Sequence, residues 1–137
     1  MRSFASLRMT GALLAIAVLL ARPLVASAQG AFAVTPTWEG ITVCSGQPVT
    51  SPSPAFTVTG VPAGTATLDF RMVDLDAPDF QHGGGKVRYS GQSRIAPGAF
   101  QFTGPCPPRT HRYQWTVLAE DAAGRPIGTA RATKTYP

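Results

Sequence analysis

Ala66-Thr67-Leu68-Asp69-Phe70-Arg71-Met72, followed at once by Val73-Asp74-Leu75-Asp76-Ala77-Pro78, is the stretch that decides the fold. Ala66, Leu68, Phe70 and Met72 alternate with Thr67, Asp69 and Arg71. A period of two is that of a half-buried strand, because successive side chains point to opposite faces. The strand predicted here carries Asp74 and Asp76 to its exit. Two carboxylates in Asp-x-Asp spacing on a strand share one side, where they repel, raise one another's proton affinity and attract a cation or hydrogen-bond donor. An Asp beside a proline turn also has a structural use, since it accepts backbone N–H bonds.

Working outward, Tyr113, Trp115 and Val117 share one face of a second strand, and Gln114, Thr116 and Leu118 the other. Ala122-Ala123-Gly124-Arg125-Pro126 reads as a turn, and Ile127 to Tyr136, rich in Thr and small residues, returns as the antiparallel partner. Upstream, Ile41-Thr42-Val43 and Phe56-Thr57-Val58 read as shorter strands divided by a Pro and Ser loop from Pro48 to Pro54. Val61-Pro62-Ala63-Gly64 then turns the chain into the Asp-bearing strand. With 13 Pro and 14 Gly among 137 residues, no long amphipathic helical run survives. Short strands divided by turn residues predict an all-β, antiparallel sandwich with little or no helix, of which an immunoglobulin-like domain is the generic form.

Residues 1–28 read as a secretory signal peptide: Arg2 and Arg8 precede an apolar run from Gly11 to Ala21, and Ala26-Ser27-Ala28 supplies small residues for cleavage before Gln29. The run is too short for a mature membrane span, which needs about 20 apolar residues, so the protein is expected to be periplasmic or secreted and not membrane-spanning. Residues 29–137 then form a single domain with one core. Cleavage lowers the basic count from twelve to nine against seven acids, so the net charge falls from +5 to +2. The remaining cations are scattered along the chain instead of clustered, which argues against a nucleic-acid partner. Cys44 and Cys106 both survive cleavage into an oxidising compartment, and an even count there predicts a disulfide. Neither has a Cys or His neighbour in zinc or redox-motif spacing.

Three further segments are candidates for chemistry. His82 opens Gly83-Gly84-Gly85-Lys86, and successive glycines permit a surface loop whose N–H groups face an anion. The phosphate-loop signature fails, since Val87 follows Lys86, and the esterase reading fails because Gly91-Gln92-Ser93-Arg94-Ile95 breaks the nucleophile elbow at its last position. Gly104-Pro105-Cys106-Pro107-Pro108 is a proline-stiffened loop with backbone N–H groups only at Gly104 and Cys106. Shortly after it, His111 offers a titratable donor and Tyr113 a phenol; both could equally be core residues with satisfied hydrogen bonds at the start of a strand.

Asp74-Leu75-Asp76-Ala77-Pro78, His82, and Gly104-Pro105-Cys106-Pro107-Pro108 running into His111-Arg112-Tyr113 together resemble the phosphatidylethanolamine-binding protein family, also called the Raf kinase inhibitor protein family. The likeness extends from about Val43 to Glu120 and suggests a shortened, exported bacterial form. It implies a Greek-key β-sandwich with a small pocket for a phosphate or phospholipid headgroup. The implied ligand-binding residues are Asp74, Asp76, Pro78, His82, Gly104, Pro105, Pro107, His111 and Tyr113. Gly83-Gly84-Gly85 departs from the family, where the His is followed by Trp and an apolar strand. No catalytic residues, resident metal or cofactor are implied, because a nucleophile with an adjacent base and an open metal site are both missing from the pattern. The expected partner is a small anionic ligand or headgroup. Two other readings stay open: a metal-assisted hydrolase using Asp74, Asp76, His82 and His111, and a protein-interaction or inhibitor domain with a vestigial pocket. N-terminal sequencing of exported material should return Gln29 as the first residue; a mature chain that keeps Arg22 would overturn the signal assignment.

Overall fold

The computed structural model describes residues 30–137, so the signal segment and its cleavage point lie outside the described residues. Nine strands follow one another: β1 (Ala33–Pro36), β2 (Thr50–Pro52), β3 (Phe56–Thr59), β4 (Thr67–Asp74), β5 (Gln81–Arg88), β6 (Arg94–Ile95), β7 (Gln101–Thr103), β8 (His111–Glu120) and β9 (Pro126–Tyr136). No helix occurs among the described residues, and none is long and apolar enough to cross a membrane. The main sheet has the order β5-β4-β8-β9, a second the order β1-β3-β6, and β2 pairs with β7; every pairing is antiparallel.

β4 forms because its alternation lets one face enter the core. Leu68 and Phe70 are fully buried and Met72 nearly so. The register sets Phe70 opposite Val117 and Met72 opposite Trp115 on β8. From the opposing layer Phe56 of β3 closes on both, its ring centroid 4.6 Å from Phe70 and 4.9 Å from Trp115, an edge-to-face packing in the second case. Phe100 and Phe102 complete the aromatic centre against Trp115. The expected all-β antiparallel sandwich is therefore what forms. On the outer face Asp69 and Glu120 are also buried, each under the cation that pairs with it, Arg71 at 2.6 Å and Lys86 at 2.8 Å. Long basic side chains cover the sheet with their aliphatic stems, which alternation alone does not register.

Several local expectations are corrected. Ile41-Thr42-Val43 is not a strand; Val43 is 75% exposed, because the backbone here is carried by side-chain and disulfide ties. Thr42 N–H, for example, donates to Ser51 Oγ at 2.8 Å. The Pro48 to Pro54 loop contains β2, whose Ser51 pairs with Phe102. Gly83-Gly84-Gly85 is no loop but the middle of β5. A Cβ on Gly85 would stand 2.5 Å from Phe100 Cβ, and one on Gly84 would run into the Phe70 carbonyl. These glycines let β5 lie close to β4 and to β7, a strand use of Gly that composition alone does not reveal.

Cys44 and Cys106 are bridged, with Cα atoms 5.1 Å apart and a sequence separation of 62. Closing a loop of that length is worth about 4 kcal/mol on the chain-entropy account. It ties the strandless stretch from Thr37 to Val49 to the proline loop that follows β7. Replacing Gly85 by Ala should destabilise the protein by about 1 to 3 kcal/mol, the usual cost of forcing a methyl into a filled core. Gly64→Ala, in open space at φ +87°, should cost only about 1 to 2 kcal/mol of backbone strain. Urea unfolding of the two variants checks both values.

Candidate functional site

The site lies where β4 ends and β8 begins. Antiparallel register sets Asp74, the last residue of β4, opposite Tyr113, so the strand ends meet although Asp74 and His111 are 37 residues apart. His111 Nδ1 donates to Asp74 Oδ2 at 2.7 Å. Asp74 Oδ1 accepts the backbone N–H groups of Asp76 at 2.8 Å and Ala77 at 3.1 Å. Burial works against the Asp74 charge, but the His111 bond and the two N–H donors together outweigh it and hold the carboxyl below its ordinary value. The Tyr113 phenol is pushed well above its ordinary value, first by burial and then by the Asp74 charge.

Asp76 does not share this environment. It lies beyond β4 in the turn, where its carboxylate accepts the Arg112 backbone N–H at 2.8 Å and the Arg112 guanidinium Nη2 at 2.9 Å. Those bonds lower its pKa to about 2. The expected mutual raising of proton affinity is thus absent: the chain turns between the two acids, and each has its own donors. Asp74 lines the pocket and Asp76 does not.

His82 enters from the other neighbour of β4. Between Arg71 and Val73 the β4–β5 register slips, since Arg71 pairs with Gly84 but Val73 with Gln81. The extra residue on β5 is a bulge, with Gly83 at φ +74°. Alternation from inward-facing Gly85 would turn His82 outward; the bulge restores it to the inner face, and only 3% of its surface is exposed. His82 Nδ1 lies 2.8 Å from the Thr103 carbonyl oxygen. A carbonyl only accepts, so Nδ1 carries the hydrogen and, in the neutral ring, Nε2 is a bare acceptor. No protein group bonds that buried Nε2. Burial lowers the His82 pKa, against the smaller opposing pull of the Thr103 bond and Asp74.

Asp74, His82, His111 and Tyr113 line one pocket of about 170 Å³. Its walls are Cys106, Pro107 and Pro108 from the loop after β7, with Pro48 beside them, and Ala77 and Phe80 from the turn after β4. The disulfide fastens the Pro48 segment to that loop. Of the residues read from the sequence, Gly104 and Pro105 lie behind the wall: Pro105 is fully buried, and Gly104 N–H is taken by the Val49 carbonyl at 3.0 Å, so it is not offered to an anion. Pro78 is exposed in the turn and does not line the pocket. Phe80, Pro48, Ala77 and Pro108 are not among the ligand-binding residues read from the sequence, although Ala77 and Pro108 lie in the two motifs that pointed to the site. Phe80 has a weak local signal as an aromatic two residues before His82, against whose ring it lies at 4.7 Å. Pro48 has none, because ties distant in sequence bring it there, the Cys44–Cys106 bridge and the Gly104–Val49 bond.

Chemically the pocket holds an oriented imidazole on a buried carboxylate, a second imidazole of fixed hydrogen-bond sense and a protonated phenol. Cys106 Sγ is committed to the bridge. Among the described residues no group of three or more His, Cys, Asp or Glu could hold a metal ion. Of the four residues of the hydrolase reading, Asp74, His82 and His111 line the pocket, while Asp76 is bound to Arg112 and does not.

Residues 31–135 match the family model described as phosphatidylethanolamine-binding protein. Two solved structures share the fold. YbcL of E. coli, titled a new member of the mammalian PEBP family, matches with a TM-score of 0.54 at 22% identity over 77% of this chain and 97% of that one. The phosphatidylethanolamine-binding protein homologue CT736 of Chlamydia trachomatis matches with a TM-score of 0.58 at 22% identity over 78% and 97%. No curated protein matches the chain by sequence.

The shifted groups give stability two separate acid limbs. His82 binds a proton less readily folded than unfolded, so stability should begin to fall as pH drops below about 6.5, and His82→Leu should flatten that limb. The Asp76 contribution is complete above 3.8 and lost as pH falls through about 2, and Asp76→Asn should remove it. Melting temperature measured across pH 2 to 8 for wild type and both variants checks the assignment.

Proposed function

The chain belongs to the phosphatidylethanolamine-binding protein family, and from that premise we propose that its pocket binds a small phosphate-type anion, free or as part of a phospholipid headgroup. On this proposal it acts as a binding protein of that family. The observation that carries the ligand reading is the Asp74–His111 pair on the pocket wall. With Nδ1 engaged by a buried carboxylate, the His111 ring is held in one orientation, and when doubly protonated it has one further N–H, at Nε2, for a ligand oxygen. Such a donor on a stiff strand, beside walls stiffened by prolines, is a pre-formed site for an oxyanion. Asp74 does not face that ligand as a bare acid would, because its oxygens already accept from His111 and from two backbone N–H groups.

The reading places the work of this protein in the periplasm or outside the cell, on the strength of the leader-like residues 1–28. A second reading, a protein-interaction domain, draws on one feature of the mouth. Phe80 lines it and is 41% exposed, while Val43 and Val49, exposed as well, adjoin Cys44 and Pro48. An exposed aromatic side chain at an opening is the kind of surface a partner covers.

Inorganic phosphate and phosphoethanolamine should each bind weakly to the wild-type protein. His111→Ala should weaken them by about 1 to 3 kcal/mol, the range for a charge-assisted hydrogen bond. Calorimetry on both proteins measures this. Unchanged binding in the variant would transfer the pocket to the interaction-domain reading.

A further inference from the structure

We infer that the Cys44–Cys106 bridge is a thiol-exchange site with a preferred direction: a low-molecular-weight thiol becomes attached to Cys106, Cys44 departs as the thiolate, and one wall of the pocket is released. The two sulfurs are not equivalent. Cys44 Sγ accepts the backbone N–H of Gly46, two residues on, at 3.4 Å. The residues in the same places after Cys106 are Pro107 and Pro108, and proline has no N–H to offer. A hydrogen bond to the charged form of a group favours that form, so the negative charge set free when the S–S bond breaks is better held on Cys44. The sulfur that forms the more stable thiolate leaves faster, and the entering thiol therefore bonds to the other. The bridge is also within reach of solvent. Both cysteines are half-buried, and around Cys44 the residues from Thr42 to Thr50 are exposed. Exposed bridges are the labile ones.

In the first step the entering thiolate bonds to Cys106 Sγ, the S–S bond breaks, and its electron pair departs on Cys44 Sγ, which then takes a proton from water. A second molecule of the thiol attacks the sulfur of the first and carries it off as a disulfide, so two thiols are oxidised and both cysteines end as thiols. The residue that carries the adduct is one that lines the pocket. What release changes follows from how that wall is held. Thr42 N–H is bonded to Ser51 Oγ, and the Val49 carbonyl accepts Gly104 N–H. Between those two ties, among the described residues, no hydrogen bond joins the chain to the rest of the domain, since the Gly46 bond stays within the segment. Pro48, a wall residue, lies in this span. Without the bridge the span is a solvated loop fastened only at its ends, while the β4–β8 pairing keeps every one of its partners.

Reduced glutathione added to the oxidised, exported protein at about pH 8 without denaturant, followed by acid quenching, alkylation and peptide mapping, tests the direction. Glutathione should be found on Cys106 and the alkyl label on Cys44, in excess over the reverse by several-fold to about tenfold, the worth of one hydrogen bond. Backbone ¹⁵N relaxation on the oxidised and the fully reduced protein tests the release. Order parameters over residues 43–47 should fall from about 0.85 with the bridge closed to below about 0.6 with it open, while the resonances of β4 and β8 stay in place. Glutathione found mainly on Cys44, or evenly on both, overturns the assignment. A bridge that glutathione leaves intact without denaturant is a permanent cross-link, and the inference fails. Unchanged order parameters on reduction show that the wall does not depend on the bridge, and loss of the β4 and β8 resonances shows that the bridge holds the whole fold; either result also sinks it. Every one of these readouts is taken without a pocket ligand, so a failure here leaves the anion reading standing.

Discussion

The pairing of β4 with β8 is the constraint on which the rest depends. Its register places Phe70 on Val117 and Met72 on Trp115 in the interior, and by the same step of two it places Asp74 beside Tyr113 at the strand ends. Core and pocket are therefore one continuous row of inward-facing positions. A slip of one residue would turn Phe70 to solvent and separate Asp74 from His111 together. The aromatic cluster around Phe56 and Trp115 resists such a slip, so the energy that fixes the fold also fixes the geometry of the site.

The site is polar at the end of an apolar row, and its acids are tolerated there because each has its own donors. Asp74 is buried but has three donors. A carboxylate so surrounded remains charged, and orients the imidazole that touches it. Asp76, two residues on, is held by Arg112 and clamps the turn after β4 to the start of β8. One acid serves the interior of the pocket and the other its frame.

Two devices adapt a generic sandwich to this pocket. The β5 bulge changes which face His82 occupies without disturbing the pairing on either side of it. The Cys44–Cys106 bridge supplies a wall where no strand is available, since the stretch around Pro48 has little secondary structure of its own. Both work on backbone placement, and both leave chemistry to side chains from elsewhere.

What the sequence by itself determined was whatever depends on neighbours along the chain. The alternation from Leu68 to Met72, the Tyr113-Trp115-Val117 face, the turn before β9 and the predominance of strands were all legible, because a period of two is a local property. The cysteine pairing followed from their even number. The pairing partners of polar groups were not legible. Asp74 and Asp76 share a spacing but not a side, because the chain turns between them. Gly83-Gly84-Gly85 reads as a loop until β4 and Phe100 are seen pressing against it. Gly104 loses its N–H to Val49, and Pro48 reaches the pocket through that bond and the bridge together. Which face a bulged strand turns inward, and which donor meets which acceptor across 37 residues of chain, are decided by register between strands, a non-local quantity that only the tertiary structure contains.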